Sequence, residues 1–179
     1  MIEIRWHGRG GQGAFTAAKI LGAAVILKQD QYALSFPSFG PERRGAPVQA
    51  FTKIDHKLIK NRSESKECDY IVFLDETLFH LEVLEDLKEG GKVIINSANA
   101  LKYQKHPQIV AIDATALALS ELKAPITNTA MLGAFLGVFD LIPVDSVKKI
   151  IGNYLPNKIL PQNISVTQKA YHATREGKA

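Results

Sequence analysis

Cysteine is nearly absent from this sequence of 179 residues, in which Cys68 is the only thiol. A single thiol cannot form an internal disulfide, and it cannot hold an iron–sulfur cluster, which takes about four cysteine ligands. Low cysteine usage is typical of proteins that work in a reducing compartment. The sequence therefore excludes a chain that carries its own cluster, and it favours a cytoplasmic location.

Long runs of like charge and long apolar runs are also missing. No run of five or six like charges occurs, which argues against nucleic-acid binding. No uninterrupted apolar stretch reaches the roughly 20 residues of a transmembrane helix, and segment 1–7 carries charge where a signal peptide would be apolar. The net charge of +4 suits an anionic ligand as well as an ordinary solvated surface. We expect neither a nucleic-acid partner nor a membrane partner.

The usual catalytic motifs are absent as well. The 5 histidines show no metal-ligand spacing, no Gly-x-Ser-x-Gly elbow occurs, and no phosphate-loop lysine follows the glycines. Cys68 lies in a charged stretch without a second cysteine, and we interpret it as structural. The sequence predicts binding loops, with no catalytic residue and no metal ligand.

Short apolar runs separated by helix-length segments dominate what is present. Three runs are continuous, at residues 71–74, 93–95 and 109–112, and they are followed by Asp75, Asn96 and Asp113. Such runs indicate parallel strands that are buried on both faces. Residues 2–6 and 48–54 alternate apolar and polar side chains and predict two further strands. The predicted fold is α/β, a three-layer α/β/α arrangement around a mostly parallel sheet, formed by residues 1–179 as a single domain.

Helices are predicted between and after these strands. The segment 14–28 is rich in Ala, Ile and Leu, and Asp113 is placed to cap the helix that follows it. The predicted helices are 14–28, 77–89, 114–122, 129–140, 144–155 and 165–176.

A glycine-rich turn joins the first strand to the first helix. Its spacing is Gly-x-Gly-x-x-Gly, and its residues are Gly8, Arg9, Gly10, Gly11, Gln12 and Gly13. Glycines let the backbone approach an anion, and the free N–H groups of a helix start face it. The turn is therefore a candidate contact for a phosphate or pyrophosphate, and the alternative is a tight turn that binds nothing.

A dinucleotide site needs a second feature, a ribose-binding acid at the end of a second strand about 20 residues on. Asp30 is at that distance, but it follows a helix, and the chain then enters a proline-rich segment. We therefore expect a Rossmann-like fold that is not a dinucleotide-binding domain.

The second candidate segment is the loop at residues 36–47, which contains three prolines, two aromatic residues and an arginine pair. Prolines rigidify a presented surface, Arg43 and Arg44 are suited to a phosphate or carboxylate, and Phe36 and Phe39 are suited to a partner interface. The alternative is a surface loop whose arginines pair with Glu42 and with acids such as Asp55.

Polar residues at the strand ends complete the set. Asp75, Asn96, Ser97 and Asp113 follow parallel strands, at the edge where ligands gather in open sheets, and each is also suited to cap a helix. Asn128 begins the apolar helix at 129–140 and is a further ligand candidate.

The two loops together resemble the gamma subunit of 2-oxoacid:ferredoxin oxidoreductases. The similarity lies in Ile4-Arg5-Trp6-His7-Gly8-Arg9-Gly10-Gly11-Gln12-Gly13 with Ala17-Ala18-Lys19-Ile20-Leu21, in the 36–47 loop, and in Thr127-Asn128-Thr129-Ala130-Met131-Leu132-Gly133-Ala134. It spans essentially the whole chain.

This resemblance implies a non-catalytic subunit of a larger enzyme. These enzymes oxidatively decarboxylate a 2-oxoacid, join the acyl group to coenzyme A and pass two electrons to ferredoxin. The resemblance implies alpha, beta and delta partner subunits, with thiamine diphosphate, magnesium and iron–sulfur clusters on those other subunits. Coenzyme A is then the expected anion at Gly8, Arg9, Gly10, Gly11, Gln12, Gly13, Arg43, Arg44 and Asn128.

The sequence of residues 39–47 is more similar to the pyruvate and branched-chain enzymes than to the 2-oxoglutarate enzymes, and pyruvate is the predicted substrate of the complex. Three alternatives stay open. They are a gamma subunit of the branched-chain enzyme, a purely architectural subunit, and a free-standing nucleotide-binding protein of Rossmann type.

Overall fold

The computed structural model describes residues 1–38 and 43–177. Within these residues the strands are β1 (Ile2–Arg9), β2 (Tyr32–Pro37), β3 (Pro47–Asp55), β4 (Cys68–Phe73), β5 (Leu87–Asn96) and β6 (Ile109–Ile112). The α-helices are α1 (Ala14–Val25), α2 (Ala114–Leu122), α3 (Asn128–Val138), α4 (Val144–Ile151) and α5 (Leu160–Glu176). Short 3-10 turns lie at Glu76–Leu78, Leu81–Asp86, Ala100–Tyr103 and Asn157–Ile159.

The strands form one sheet in the order β2-β3-β1-β4-β5-β6. Strands β1, β4, β5 and β6 run parallel, whereas β3 runs antiparallel to both β1 and β2. The predicted α/β class and the mostly parallel sheet are therefore confirmed. The strand predicted at 48–54 is present as β3.

The α-helices pack in one cluster on one face of the sheet. Helix α3 is buried along its whole length, which explains why its sequence is apolar on every side. Trp6 of β1 points into this layer, where its ring centroid lies 5.4 Å from that of Phe135 and its indole N–H donates to Thr52 Oγ1 at 3.2 Å. This layer holds the larger part of the core.

The other face of the sheet is covered by 3-10 turns, and the helix predicted at 77–89 is wrong. Phe79 and His80 are extended, because the Phe79 ring packs edge-on between Phe73 and Tyr103, with centroids 5.4 and 5.5 Å away. An α-helix through these residues would turn that ring away from the sheet. The third layer is therefore a layer of short turns.

The edge strand β2 was not predicted. Phe36 and Pro37 were assigned to a loop, yet they end β2, where a proline is tolerated because an edge strand does not need every N–H. The predictions for Phe39 and Glu42, and for the rest of segment 39–42, lie outside the described residues.

The helix predicted at 114–122 is confirmed at those bounds as α2, and the other remaining helices are confirmed with shifted ends. Helices α1 and α4 stop earlier than predicted, at Val25 and Ile151, and α5 starts earlier, at Leu160, because Pro161 is tolerated in a first helical turn. Across residues 1–38 and 43–177, no helix combines the length and the apolar character that crossing a membrane requires.

His7 lies on the turn-covered face of β1. Its ring stacks on Phe73 with centroids 4.3 Å apart, and its Nε2 is buried with no hydrogen-bond partner among the described residues. Burial, together with the positive charge of Arg5 and the neighbouring His80, lowers the pKa of His7 to about 3, although Asp86 opposes this shift. His7 is therefore neutral in the folded protein at neutral pH.

We expect His7 to destabilise the fold in acid. The unfolded chain takes up a proton on His7 near pH 6.5 and the folded chain only near pH 3, so this residue's contribution to stability falls as the pH drops between those values. Replacing His7→Phe removes the proton and keeps a ring on Phe73. Urea unfolding from pH 7 to pH 4 should show a shallower loss of stability for this variant, with the exposed His172→Phe as the control. Equal slopes for His7→Phe and the wild type would contradict the prediction.

Candidate functional site

The first two residues of the glycine-rich segment, Gly8 and Arg9, end β1, and Gly10 to Gly13 form the turn before α1. Gly11 and Gly13 have φ angles of 96° and 84°, in the left-handed region, and the Gln12 N–H donates to the Arg9 carbonyl at 2.9 Å. A Cβ at Gly13 would lie 2.5 Å from Nδ2 of Asn128, so the start of α3 packs directly on the turn. Asn128, a predicted ligand residue, therefore lies against Gly13 of the turn.

The turn is joined to the arginine-containing loop by its backbone. Gly10 donates its N–H to the Ala46 carbonyl at 2.8 Å and accepts from the Gly45 N–H at 2.9 Å. A Cβ at Gly10 would collide with the Arg43 carbonyl oxygen. Only glycine permits this approach, so the two loops that the sequence singles out form one unit.

Asp75 fixes this unit to the end of β4. Its carboxylate accepts from Arg9 Nε at 3.0 Å, from Gln12 Nε2 at 3.1 Å and from the Thr77 N–H at 2.9 Å. Partial burial opposes ionisation, but these hydrogen bonds outweigh it and hold the pKa of the Asp75 carboxyl below its usual value of 3.8. Asp75 is therefore an anion that holds Arg9 and Gln12 of the turn in place.

Arg9 and Gln12 have their polar groups engaged within the chain. The Arg9 guanidinium also donates to the Gly45 carbonyl at 3.1 Å and to Thr77 Oγ1 at 2.8 Å. The Gln12 side chain accepts from the Arg9 N–H at 2.7 Å while it donates to Asp75. In this arrangement both side chains position the turn.

Arg43 and Arg44 are the cations that remain available. Both are exposed, and neither forms an ion pair with any residue of the described part of the chain. Asp55, one of the acids considered as their partner, instead lies 3.5 Å from the N-terminal amino group and accepts from the His56 N–H. Together with Gly10 and Gly11, the two arginines line an open cavity of about 470 Å³. Its charge suits an anion.

A second cleft lies on the other side of Asp75, at the carboxyl ends of β4, β5 and β6. It has a volume of about 590 Å³, and its polar lining includes Asp75, Glu76, Asn96, Ser97 and Asp113. Several of these groups already have partners: Asp113 caps α2 by accepting from the Ala116 N–H at 2.7 Å, and Asn96 bonds to the Leu74 carbonyl at 2.9 Å. Asp75 pairs with Arg9 and Glu76 with Lys102, but with three carboxylates in its wall this cleft is less favourable to an anion than the arginine cavity.

Asp30 is far from both cavities. It precedes β2, which runs in the same direction as β1, and Tyr32 lies level with the start of β1 because both strands pair with the end of β3. The glycine-rich turn is at the opposite end of β1, roughly 20 Å away at the rise of a strand. Asp30 is therefore too far from the turn to bind the ribose of a dinucleotide there. This distance removes the main support for a dinucleotide site.

The role of Asp75 predicts a specific effect of its substitution. Asp75→Asn keeps the size of the side chain but removes the charge, and we expect a loss of about 1 to 3 kcal/mol in the free energy of unfolding. Amide hydrogen exchange should accelerate at residues 10–13 and 43–46. Because the folded-state pKa of Asp75 is depressed, the difference from wild type should be full near neutral pH and should close as the pH falls below 3.8.

The matched control for this experiment is Asp113→Asn, which removes the charge of the corresponding cap at the end of β6 without touching the turn. Equal acceleration of exchange at residues 10–13 in both variants would contradict the assigned role of Asp75.

Comparisons with known proteins agree with this combination of fold and loops. The family model described as pyruvate ferredoxin/flavodoxin oxidoreductase matches residues 3–173. The chain is 48% identical to pyruvate synthase subunit PorC of Methanothermobacter marburgensis, covering 96% of each chain. It is 42% identical to the pyruvate/ketoisovalerate oxidoreductases common subunit gamma of Thermococcus litoralis, covering 97% of each.

A solved structure extends the similarity to three dimensions. The crystal structure of pyruvate oxidoreductase subunit PORC from Thermotoga maritima superposes with a TM-score of 0.81 at 33% identity, covering 96% of this chain and 95% of that one. On the family match, the near-complete coverage and the shared fold, the chain belongs to the pyruvate ferredoxin/flavodoxin oxidoreductase family.

Proposed function

We propose that this chain is the gamma subunit of a multi-subunit enzyme that oxidatively decarboxylates pyruvate, forms acetyl-coenzyme A and passes the electrons to ferredoxin. The observation that carries the proposal is that the glycine-rich turn and the arginine-containing loop are joined through Gly10. The relatives that this chain matches over nearly their full length are subunits of such enzymes. Residues 1–179 act together as one domain in this role.

The partners are the alpha, beta and delta subunits, which hold thiamine diphosphate, magnesium and the iron–sulfur clusters and which deliver electrons to ferredoxin. The only cysteine of this chain supports that division of labour. Cys68 is fully buried, and burial raises the pKa of its thiol to about 11, so it does not present a thiolate to a metal. The complex works in the cytoplasm, where this thiol stays reduced.

Pyruvate is the favoured substrate of the complex, since the relatives carry the names of pyruvate enzymes. A gamma subunit that is shared with a ketoisovalerate enzyme is the second candidate, because one relative is named as common to both activities. We expect the choice between these oxoacids to be made mostly by other subunits.

The cavity of Gly10, Gly11, Arg43 and Arg44 supports contact with coenzyme A. Its arginines are exposed and form no ion pair within residues 1–38 and 43–177, and the left-handed Gly11 leaves open space above the backbone. A guanidinium binds a phosphate group with two parallel hydrogen bonds, and the phosphates of coenzyme A supply such groups. The acidic cleft beyond Asp75 would repel the same phosphates, so the anion is directed to the arginine side.

The subunit assignment predicts the outcome of purification from the native source. A tag on this chain should recover a thiamine-binding subunit and a ferredoxin-like subunit in fixed ratio, and the complex should reduce ferredoxin with pyruvate and coenzyme A. The isolated chain should show no oxidoreductase activity, because it lacks a catalytic constellation. Recovery of the chain alone, in a form that is active, would refute the assignment.

The coenzyme A contact predicts the effect of two substitutions in the assembled complex. Arg43→Ala and Arg44→Ala should each raise the KM for coenzyme A by roughly tenfold, since each removes a charged hydrogen-bond donor, while kcat at saturating coenzyme A stays close to wild type. Arg62→Ala, at another exposed arginine, is the control and should leave the KM unchanged.

Normal assembly with an unchanged KM in both arginine variants would support the architectural alternative, in which the two loops serve only as interfaces. That result would leave the subunit assignment intact, because assembly and activity are measured separately from the KM.

A further inference from the structure

Strand β2 forms one edge of the sheet and lacks the features that protect an edge from pairing. Its residues Tyr32–Pro37 contain no charged side chain, and its register with β3 is continuous from Tyr32 to Pro37, without a bulge. The one proline is its last residue. Natural edge strands are normally blocked by charge, proline, a bulge or a covering element, and an unblocked edge pairs with another strand.

The hydrogen-bond parity of β2 identifies the backbone groups that face outward. The Ser38 N–H donates to the Gln49 carbonyl at 2.9 Å, so 38 and every second residue before it point their backbone groups toward β3. Ala33 and Ser35 therefore point theirs away from the sheet. Within residues 1–38 and 43–177, no group forms a hydrogen bond with the N–H or C=O of Ala33 or Ser35.

Apolar side chains are exposed at the start of this strand and in the segment before it. Tyr32, the first residue of β2, is 45% exposed, and Ile26 and Leu27, between α1 and β2, are 57% and 53% exposed. Tyr32 therefore adds apolar surface to the unpaired backbone of the edge, as in strands that bind a further strand.

We propose that β2 pairs with β2 of a second copy of this chain, antiparallel and related by a two-fold axis through Leu34. In this register Ala33 lies opposite Ser35 of the other copy, and the two pairs exchange four backbone hydrogen bonds. Leu34 meets its own counterpart, and Tyr32 lies opposite Phe36 of the second copy. Pro37, which has no N–H, takes no part in these four bonds.

A second copy is the occupant because the edge is complementary to itself. The outward groups form two donor–acceptor pairs placed symmetrically about Leu34, as an isologous interface requires. The absence of charge between Tyr32 and Pro37 means that no like charges face each other across the axis. The inference does not depend on coenzyme A contact or on the choice of substrate, and it joins two sheets into one of twelve strands.

The first experiment measures the mass of the full chain in solution. Sedimentation equilibrium should give a mass roughly twice 19.7 kDa at micromolar concentrations. Ala33→Pro removes two of the four bonds and should raise the dimer dissociation constant by roughly tenfold or more. The control is Ala111→Pro on β6, the opposite edge strand. The Val93 N–H donates to the Gln108 carbonyl, so the backbone groups of Val110 face β5 and the N–H of Ala111 faces outward, as that of Ala33 does. This control should leave the dimer intact.

The second experiment tests the register without depending on a proline. In a Leu34→Cys variant the two Cα atoms across the axis are about 4.5 Å apart, which permits a disulfide, so mild oxidation should yield a covalent dimer. Tyr32→Cys is the control, because its two copies are separated by four residues of strand, roughly 13 Å, and should not cross-link. The native Cys68 is buried and does not interfere.

A wild-type chain that remains monomeric at high concentration would overturn the proposal, and so would a dimer unaffected by Ala33→Pro. Equal cross-linking of Leu34→Cys and Tyr32→Cys would also overturn it. If protection of Ala33 and Ser35 from hydrogen exchange arises only when other subunits are added, the edge binds a different chain and the proposal is wrong.

Discussion

The close approach of two backbones at Gly10 is the constraint on which the site depends. The turn after β1 and the loop before β3 exchange two hydrogen bonds there, and any side chain at this position would occupy the place of the Arg43 carbonyl oxygen. The antiparallel pairing of β1 and β3 ends at Arg9 and Pro47, and beyond it Gly10 forms a separate parallel bridge with Arg44. This bridge holds the two arginines beside Gly10 and Gly11.

The sequence contained enough information for the central sheet but not for its edges. Continuous apolar runs identified β4, β5 and β6, because a strand buried on both faces has no polar side to conceal it. Strand β2 was missed since its proline and its short length are compatible with either an edge strand or a loop. The segment 77–89 has the composition of a helix. The Phe79 ring instead packs edge-on against Phe73 of β4, and this tertiary contact overrides local helix propensity.

The candidate site was predictable in its members and less so in their roles. Glycine spacing and the arginine pair pointed to two segments that the fold brings into contact. The different roles of Arg9 and Arg43 were not accessible, because they are decided by Asp75, which is 66 residues from Arg9 in sequence and meets it only when β1 and β4 pair side by side. A strand-end aspartate reads as a cap, and Asp75 is indeed a cap of the following turn. Its contacts with Arg9 and Gln12 leave no pattern in the sequence around Asp75.

The Asp75–Arg9 pair stands between two cavities of opposite character. On one side lie Arg43 and Arg44, and on the other lie three carboxylates, of which Asp75 is paired with Arg9 and Glu76 with Lys102. An anion that reaches the glycine-rich turn therefore meets exposed cations on one side only.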